Sequence, residues 1–287
     1  MALQRRKVKQ DKPRPMGGQK LKELRRRADL SLMDLAAKVA SEVGKHIDAA
    51  HINKIEIGSI KKPTRETLEA ILAGLEASYV DRRAVLDAFG YSIPLALPTQ
   101  REIEEVRKLT VNELNEATYP IPLIDLGHRL LAWNRYVPRL LGRHPDDPTL
   151  ASYYGVTTFG LVFNPALGSR LLVENPEEFW PAWLRIVKAD LYPYRHEPWF
   201  AALLARVRSL PGFSKVWDAV PEGEIRLVTP LTVVPLQLCV PRTGVLEFRL
   251  STCDFLLDPR FHILQFTPYG ATTLRACAAW AEAEGVL

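Results

Sequence analysis

The stretch from Asp48 to Gly58 constrains the fold of this chain more than any other. Asp48 is a residue type that caps a helix by accepting a hydrogen bond from a free backbone N–H, and Gly58 suits a left-handed residue at a helix end. Between them Ile52 and Ile55 lie three apart on a face that can be buried, while Ala49, Ala50, Asn53 and Lys54 occupy the remaining sides. Such a helix has one dry side and one side free to read another surface.

Its neighbours are helical too. Upstream, Ser31 and Asp34 have the spacing of a capping box and open a helix carrying Leu32, Leu35, Ala36 and Val39 on one face; Leu21 and Leu24 to Ala28 read as a shorter one. Downstream, Pro63-Thr64-Arg65-Glu66 starts a helix with Leu68, Ile71, Leu72 and Leu75 at core spacing. Asp81 to Phe89 adds another through Val85, Leu86 and Phe89. In order and motif, residues 18 to 91 resemble the lambda-repressor-like helix-turn-helix domain of the XRE family. The likeness rests on Leu30-Ser31, Leu35-Ala36, Ile52 to Gly58 and Pro63 to Leu68. It implies a recognition helix over Asp48 to Gly58 and duplex DNA as partner. The DNA-facing candidates are then Ala49, Ala50, His51, Asn53 and Lys54, with Lys45, Lys61 and Lys62 beside them. Two departures from the family pattern stand out. The interval from Ala36 to Glu56 is longer than usual, so helix two or the turn is extended. Leu32 replaces the glutamine that commonly touches a phosphate, a contact that Lys45 or His46 would have to supply.

Charge follows the same division. Residues 1 to 91 hold 19 Lys and Arg against 12 Asp and Glu, a net of +7, which leaves −2 for the remainder of a chain of net charge +5. Residues 1 to 17, with Arg5, Arg6, Lys7, Lys9, Lys12 and Arg14, have too little apolar surface to fold alone. They read as a disordered basic arm, either solvated or laid along phosphates. At 287 residues the chain can bury two cores, and 47% hydrophobic content with 25% charge describes a globular protein. The longest apolar runs, such as Leu231 to Val240, are broken by proline, so no membrane span is expected. No export signal is read at the basic N-terminus, and Cys239, Cys253 and Cys277 are few, widely spaced and set among apolar neighbours; a cytoplasmic protein with buried thiols is expected.

Ile93 to Thr99 carries two prolines and reads as a linker, followed by a connecting helix over Thr99 to Asn115 with Ile103, Val106, Leu109, Val111 and Leu114. That helix joins the domains or pairs with its copy in a homodimer. After Tyr119-Pro120 the pattern changes. Ile121 to Leu126 and Leu130 to Trp133 form a hairpin turning at Gly127, with a capped helix beyond Asn134. The run Leu123 to Arg135, ending at Leu140-Leu141-Gly142, is similar to the opening of a PAS domain, which implies that Asn134 caps the first helix. From Thr149 to Val220 the residues are helical and aromatic. From Glu224 onward Arg226 to Val228, Leu231 to Val240, Val245 to Cys253 and His262 to Thr267 read as strands, with a closing helix over Tyr269 to Glu284. Leu236, Leu238 and Val240 alternate, as do Leu246, Phe248 and Leu250, so one face of an antiparallel sheet of about five strands packs on helices.

The expected architecture is two-domain: an all-α helix-turn-helix domain over 18–92, a linker and connecting helix over 93–117, and an α+β PAS-like domain with an antiparallel sheet over 118–287. This order, together with Trp199 to Leu203, Phe213 to Trp217 and Gly244 to Phe248, resembles the MmyB-like transcription regulators. The resemblance implies a small-molecule effector bound by the C-terminal domain that biases DNA binding. No phosphate loop, nucleophile elbow or His-Glu-x-x-His motif is present, and Arg195-His196-Glu197-Pro198 matches the last for only two letters, so no enzyme is expected. No motif asks for haem or flavin, the histidines are too scattered for a metal cluster, and no cofactor is required. A bound fatty acid or similar lipophilic molecule suits the aromatic residues. The ligand-binding candidates are Trp133, Tyr154, Phe163, Trp183 and Phe248, with Tyr192, Tyr194, Arg195 and His196 as polar anchors. A fully packed assembly module remains the alternative for this domain.

Overall fold

The computed structural model describes residues 16–93, 95–167, 172–220, 234–256 and 258–283. The expected strand at Arg226 to Val228, the start of the one at Leu231, and the arm through residue 15 lie outside them. The chain divides into two compact units between Pro94 and Leu95.

The first unit is a bundle of five helices: α1 (Met16–Arg27), α2 (Leu32–Val43), α3 (Ala49–Glu56), α4 (Arg65–Gly74) and α5 (Tyr79–Ala88). Side-chain caps start three of them. Ser31 and Asp34 complete the reciprocal capping box of α2, Thr64 accepts from the Thr67 N–H, and Ser78 accepts from that of Asp81. The apolar faces converge on a core that includes Leu21, Leu35, Val39, Ile52, Ile55, Leu68, Ile71 and Leu86. Met16 and Gly17, read from sequence as part of the arm, belong instead to the first turn of α1. Gly18 explains why. A Cβ there would sit 2.4 Å from the Ile55 carbonyl oxygen, so α1 lies against α3 only because residue 18 has no side chain. The extra length between helix two and the recognition helix resolves into the last turn of α2, a left-handed Gly44 and the extended residues 45–48, where Ile47 is buried.

The second unit opens with α6 (Gln100–Glu116), started by a Thr99–Glu102 capping box. Ile103, Thr110 and Leu114 form its buried face. Leu109 and Val111, expected on that face, are 75% and 46% exposed because they fall off the 103/110/114 stripe by about a third and about a fifth of a turn. Five strands follow: β1 (Pro122–Asp125), β2 (Leu130–Trp133), β3 (Val234–Val240), β4 (Gly244–Asp254) and β5 (Phe261–Tyr269). All pair antiparallel, in the order β2-β1-β5-β4-β3. Between β2 and β3 run α7 (Val137–Leu140), a 3-10 turn at Pro148–Tyr153, α8 (Thr158–Phe163), α9 (Pro176–Leu191), α10 (Pro198–Arg208) and α11 (Phe213–Asp218), and α12 (Gly270–Ala283) follows β5. This is an α+β domain, PAS-like in arrangement.

Alternation along the strands sorts the side chains. Val234, Leu236, Leu238 and Val240 of β3 and Leu246, Phe248 and Leu250 of β4 face the aromatic helices. The outer face of that pair is polar, with Gln237 beside Glu247, Ser251 beside Gln265, and Arg249 over the Tyr269 ring. The expectation that helices cover one face only is corrected: Leu123, Leu131 and Phe261 on the opposite face meet Ile103 and Leu114 of α6. Arg260, 3% exposed, fastens that packing by donating to Glu102 at 2.8 Å and to Asp258 at 2.9 Å. Asn134 does not cap α7, whose N-cap is Tyr136. Its Oδ1 accepts from the Ile121 and Tyr136 N–H groups, and its Nδ2 donates to the Tyr119 carbonyl at 2.7 Å, so it pins the chain entering β1 to the end of β2.

Candidate functional sites

On α3 the apolar residues are consumed by the core, and Ala50, His51, Asn53 and Lys54 are left exposed, with Ala49 half-buried. Asp48 occupies the N-cap position in extended backbone, but its side chain makes no capping bond. Its carboxylate stands 3.4 Å from His46 Nε2, and the first turn is closed by the Asp48 carbonyl instead. Gly58 takes the expected left-handed conformation, with φ of 80°. Lys61 and Lys62 are exposed on the turn after α3, Lys62 lying 5.8 Å from the centre of the Tyr91 ring, while Tyr91 is itself anchored by donating to the Pro63 carbonyl. Lys45 is half-buried before α3.

What holds α3 in place is a pair that periodicity does not reveal. Glu56, 2% exposed, accepts from Arg25 Nε at 2.7 Å and Nη2 at 2.8 Å, and Arg25 also donates to the Leu30 carbonyl. This hydrogen bonding to Glu56 outweighs burial and raises the Arg25 pKa, so the guanidinium stays charged. The last turn of α3 is thereby locked to α1, and the exposed face is presented at a fixed angle.

In the second unit a cavity of about 160 Å³ lies between the inner face of the sheet and the helices. Leu236, Leu238, Leu250, Leu264 and Phe266 form its floor; Phe179, Trp180 and Trp183 of α9, Leu161 and Val162 of α8, and Leu140, Leu141, Leu150 and Tyr153 complete it. Almost every lining atom is apolar. A void of this order and character stays dry and can accept an apolar guest. Of the expected ligand contacts it brings together Trp133 and Trp183. Phe163 and Phe248 pack in the surrounding core. Tyr154 stacks on Trp133 and lines a shallow outer groove with α6. Tyr192, Tyr194, Arg195 and His196 are on the turn between α9 and α10, where Arg195 lies over the Tyr192 ring, and none of them lines the cavity.

The model of the helix-turn-helix domain matches residues 18–86, and that of the MmyB-like transcription regulator ligand binding domain matches residues 110–279, more than half of the chain. The chain belongs to the MmyB-like transcription regulators. This MmyB-like chain therefore pairs a DNA-binding helical unit with a small-molecule-binding α+β unit. No curated protein matches it. Among solved structures it is similar to one titled "Structure of an RNA-binding Light-Oxygen-Voltage Receptor", at 12% identity and a TM-score of 0.26. That match covers 96% of this chain and 65% of the other, so the chain spans less than two thirds of it. Among the described residues no helix is long and apolar enough to cross a membrane, and no group of three or more His, Cys, Asp or Glu side chains is placed to hold a metal ion.

Proposed function

We propose that the apolar cavity takes a lipophilic, acyl-like effector, and that filling it changes the affinity of α3 for its operator. The observation that carries this reading is the lining itself, aliphatic and aromatic apart from Thr158. A polar metabolite would leave its hydrogen-bonding groups unpaired there, at a cost of about 1–3 kcal/mol each. The effector must bind two conformations of the regulator with different affinity, since equal affinity shifts no equilibrium. Native mass spectrometry of the full chain purified under mild conditions tests occupancy. Operator binding with and without extracted lipids, with thermal stability in parallel, tests coupling. A lipid that stabilises the protein but leaves operator affinity unchanged keeps the pocket and removes the sensor; neither effect leaves a domain for assembly only.

On DNA, Asn53 and Lys54 reach base edges, Ala49 and Ala50 press on thymine methyls, His51 lies at the margin, and Lys45, Lys61 and Lys62 meet phosphates. Support comes from the exposure of Ala50, His51, Asn53 and Lys54 on a helix whose opposite face is locked by Ile52, Ile55 and Glu56. Lys54→Ala should relax preference at one base position by about 1–3 kcal/mol; uniform weakening across all sequences would instead make Lys54 a phosphate contact. One helix reads few base pairs, so a homodimer on two half-sites is proposed, joined through the exposed Leu109 and Val111 of α6. Light scattering of the free and DNA-bound protein checks it, and a monomer in both states refutes it.

A further inference from the structure

Behind Trp183, Leu250 and Leu264, which it shares with the apolar cavity, lies a second chamber of about 280 Å³ and different character. Asp190 of α9 and Thr252 and Asp254 of β4 enter it, together with His128 from the turn between β1 and β2. That turn holds residue 128 at a φ of 56°, and the ring rests on Phe159 with centroids 5.3 Å apart. His128 is 6% exposed, yet its Nε2 has no hydrogen-bond partner: the nearest acidic oxygen, Asp190 Oδ2, stands 3.6 Å away, beyond hydrogen-bonding range. His262 Nδ1 is 2.8 Å from Asp254 Oδ1, and its buried Nε2 is likewise without a partner. A buried polar atom left in this way loses the free energy of a hydrogen bond with water, and such groups are normally satisfied. Of the two residues, His128 lines the chamber.

The chemistry of the walls selects the guest. Two carboxylates face the chamber, and no lysine or arginine is among its described lining residues. An anionic head group would be repelled. A hydroxyl would offer one donor and no charge, whereas an alkylammonium supplies a positive charge and three donors. We infer that this chamber, through Asp190 and Asp254 with His128 beside them, is a binding site for the ammonium group of a small organic amine. The inference does not depend on the lipophilic effector, because the apolar cavity contributes none of these polar groups.

The test is calorimetric titration of the full chain at neutral pH with three probes of one tail length: hexylamine, hexan-1-ol and hexanoate. Hexylamine should bind saturably, and Asp190→Asn should weaken it at least tenfold while leaving any binding of the alcohol and the carboxylate unchanged. Asp254→Asn, at a more exposed position, should weaken hexylamine in the same direction and serves if Asp190→Asn does not fold by circular dichroism. No saturable binding of hexylamine, binding that neither substitution alters, or an equal effect of the substitutions on hexanoate overturns the inference.

Discussion

The bridge between Arg25 and Glu56 gives a sharp prediction, because all six tryptophans, from Trp133 to Trp280, lie in the second unit. Tryptophan fluorescence therefore follows that unit alone, while far-ultraviolet circular dichroism follows both. Glu56→Ala leaves a guanidinium with 11% side-chain exposure and the Leu30 carbonyl as its remaining partner within the motif. Both members of the pair are buried, so solvent screening discounts little. Removing one partner of such a pair costs about 3–5 kcal/mol, a large share of the roughly 5–15 kcal/mol that holds a domain folded. With a urea slope of about 1.5 kcal/mol per M, the midpoint of the helical unit should fall by about 2–3 M. The dichroism transition should thus move to low urea, or be largely complete without it, while the fluorescence midpoint stays in place. Arg25→Met with Glu56→Leu should restore most of the loss, since an apolar pair of similar volume avoids the desolvation cost. Operator affinity should fall with Glu56→Ala and recover in the double variant only if the apolar pair holds α3 at the same angle. A dichroism shift below about 1 kcal/mol, within the range of exposed pairs, or an equal shift in fluorescence, would refute the reasoning.

Gly18→Ala should lower the same dichroism midpoint by about 1–3 kcal/mol, the range for overpacking, because its Cβ meets backbone rather than a yielding side chain. In the second unit, burial opposes charge on Glu102, but Arg260 and Thr99 overcome it and hold the carboxyl below its ordinary value of 4.5. Its folded pKa lies below the unfolded one, so its contribution is fully present above pH 4.5 and is lost as pH falls through the folded value; the fluorescence midpoint should drop over that window, and Glu102→Gln should flatten the drop. Burial pushes the Cys277 thiol up to about 11, whereas Cys253 is exposed. Iodoacetamide at pH 8 should alkylate Cys253 and spare Cys277 until the protein unfolds, as peptide mass spectrometry would show.

The helical unit was legible because its signals are local. Ser31 with Asp34, and the three- and four-residue spacing of Leu68, Ile71 and Leu72, each lie within about one turn of helix. Gly18 was not, because its need for a missing side chain comes from the Ile55 carbonyl far along the chain. Arg25 and Glu56 look like ordinary surface charges for the same reason: they are 31 residues apart, and neither position shows that the other will be its partner. Asn134 was legible as structural, but of its partners only Tyr136 follows it, while those at 117 to 121 precede it, so a capping role read forward from the sequence missed them.

The two chambers show where this limit falls for function. Aromatic and aliphatic residues from Tyr153 to Trp217 announce a core, but whether they fill it depends on how rings from α8, α9 and the sheet meet, a question of shape that composition does not carry. The polar chamber is harder still. His128, Asp190, Asp254 and His262 occupy a turn, a helix and two strands, and each alone has an ordinary surface explanation. Only antiparallel pairing of β4 with β5, which sets Asp254 opposite His262, and the packing of α9 against the turn at His128 make them neighbours. Polar anchors sought along the sequence near the aromatic helices fall at Tyr192, Arg195 and His196, beyond Asp190, where α9 has already ended and the residues line neither chamber. Strand register and turn geometry, not proximity in sequence, bring Asp190 beside His128.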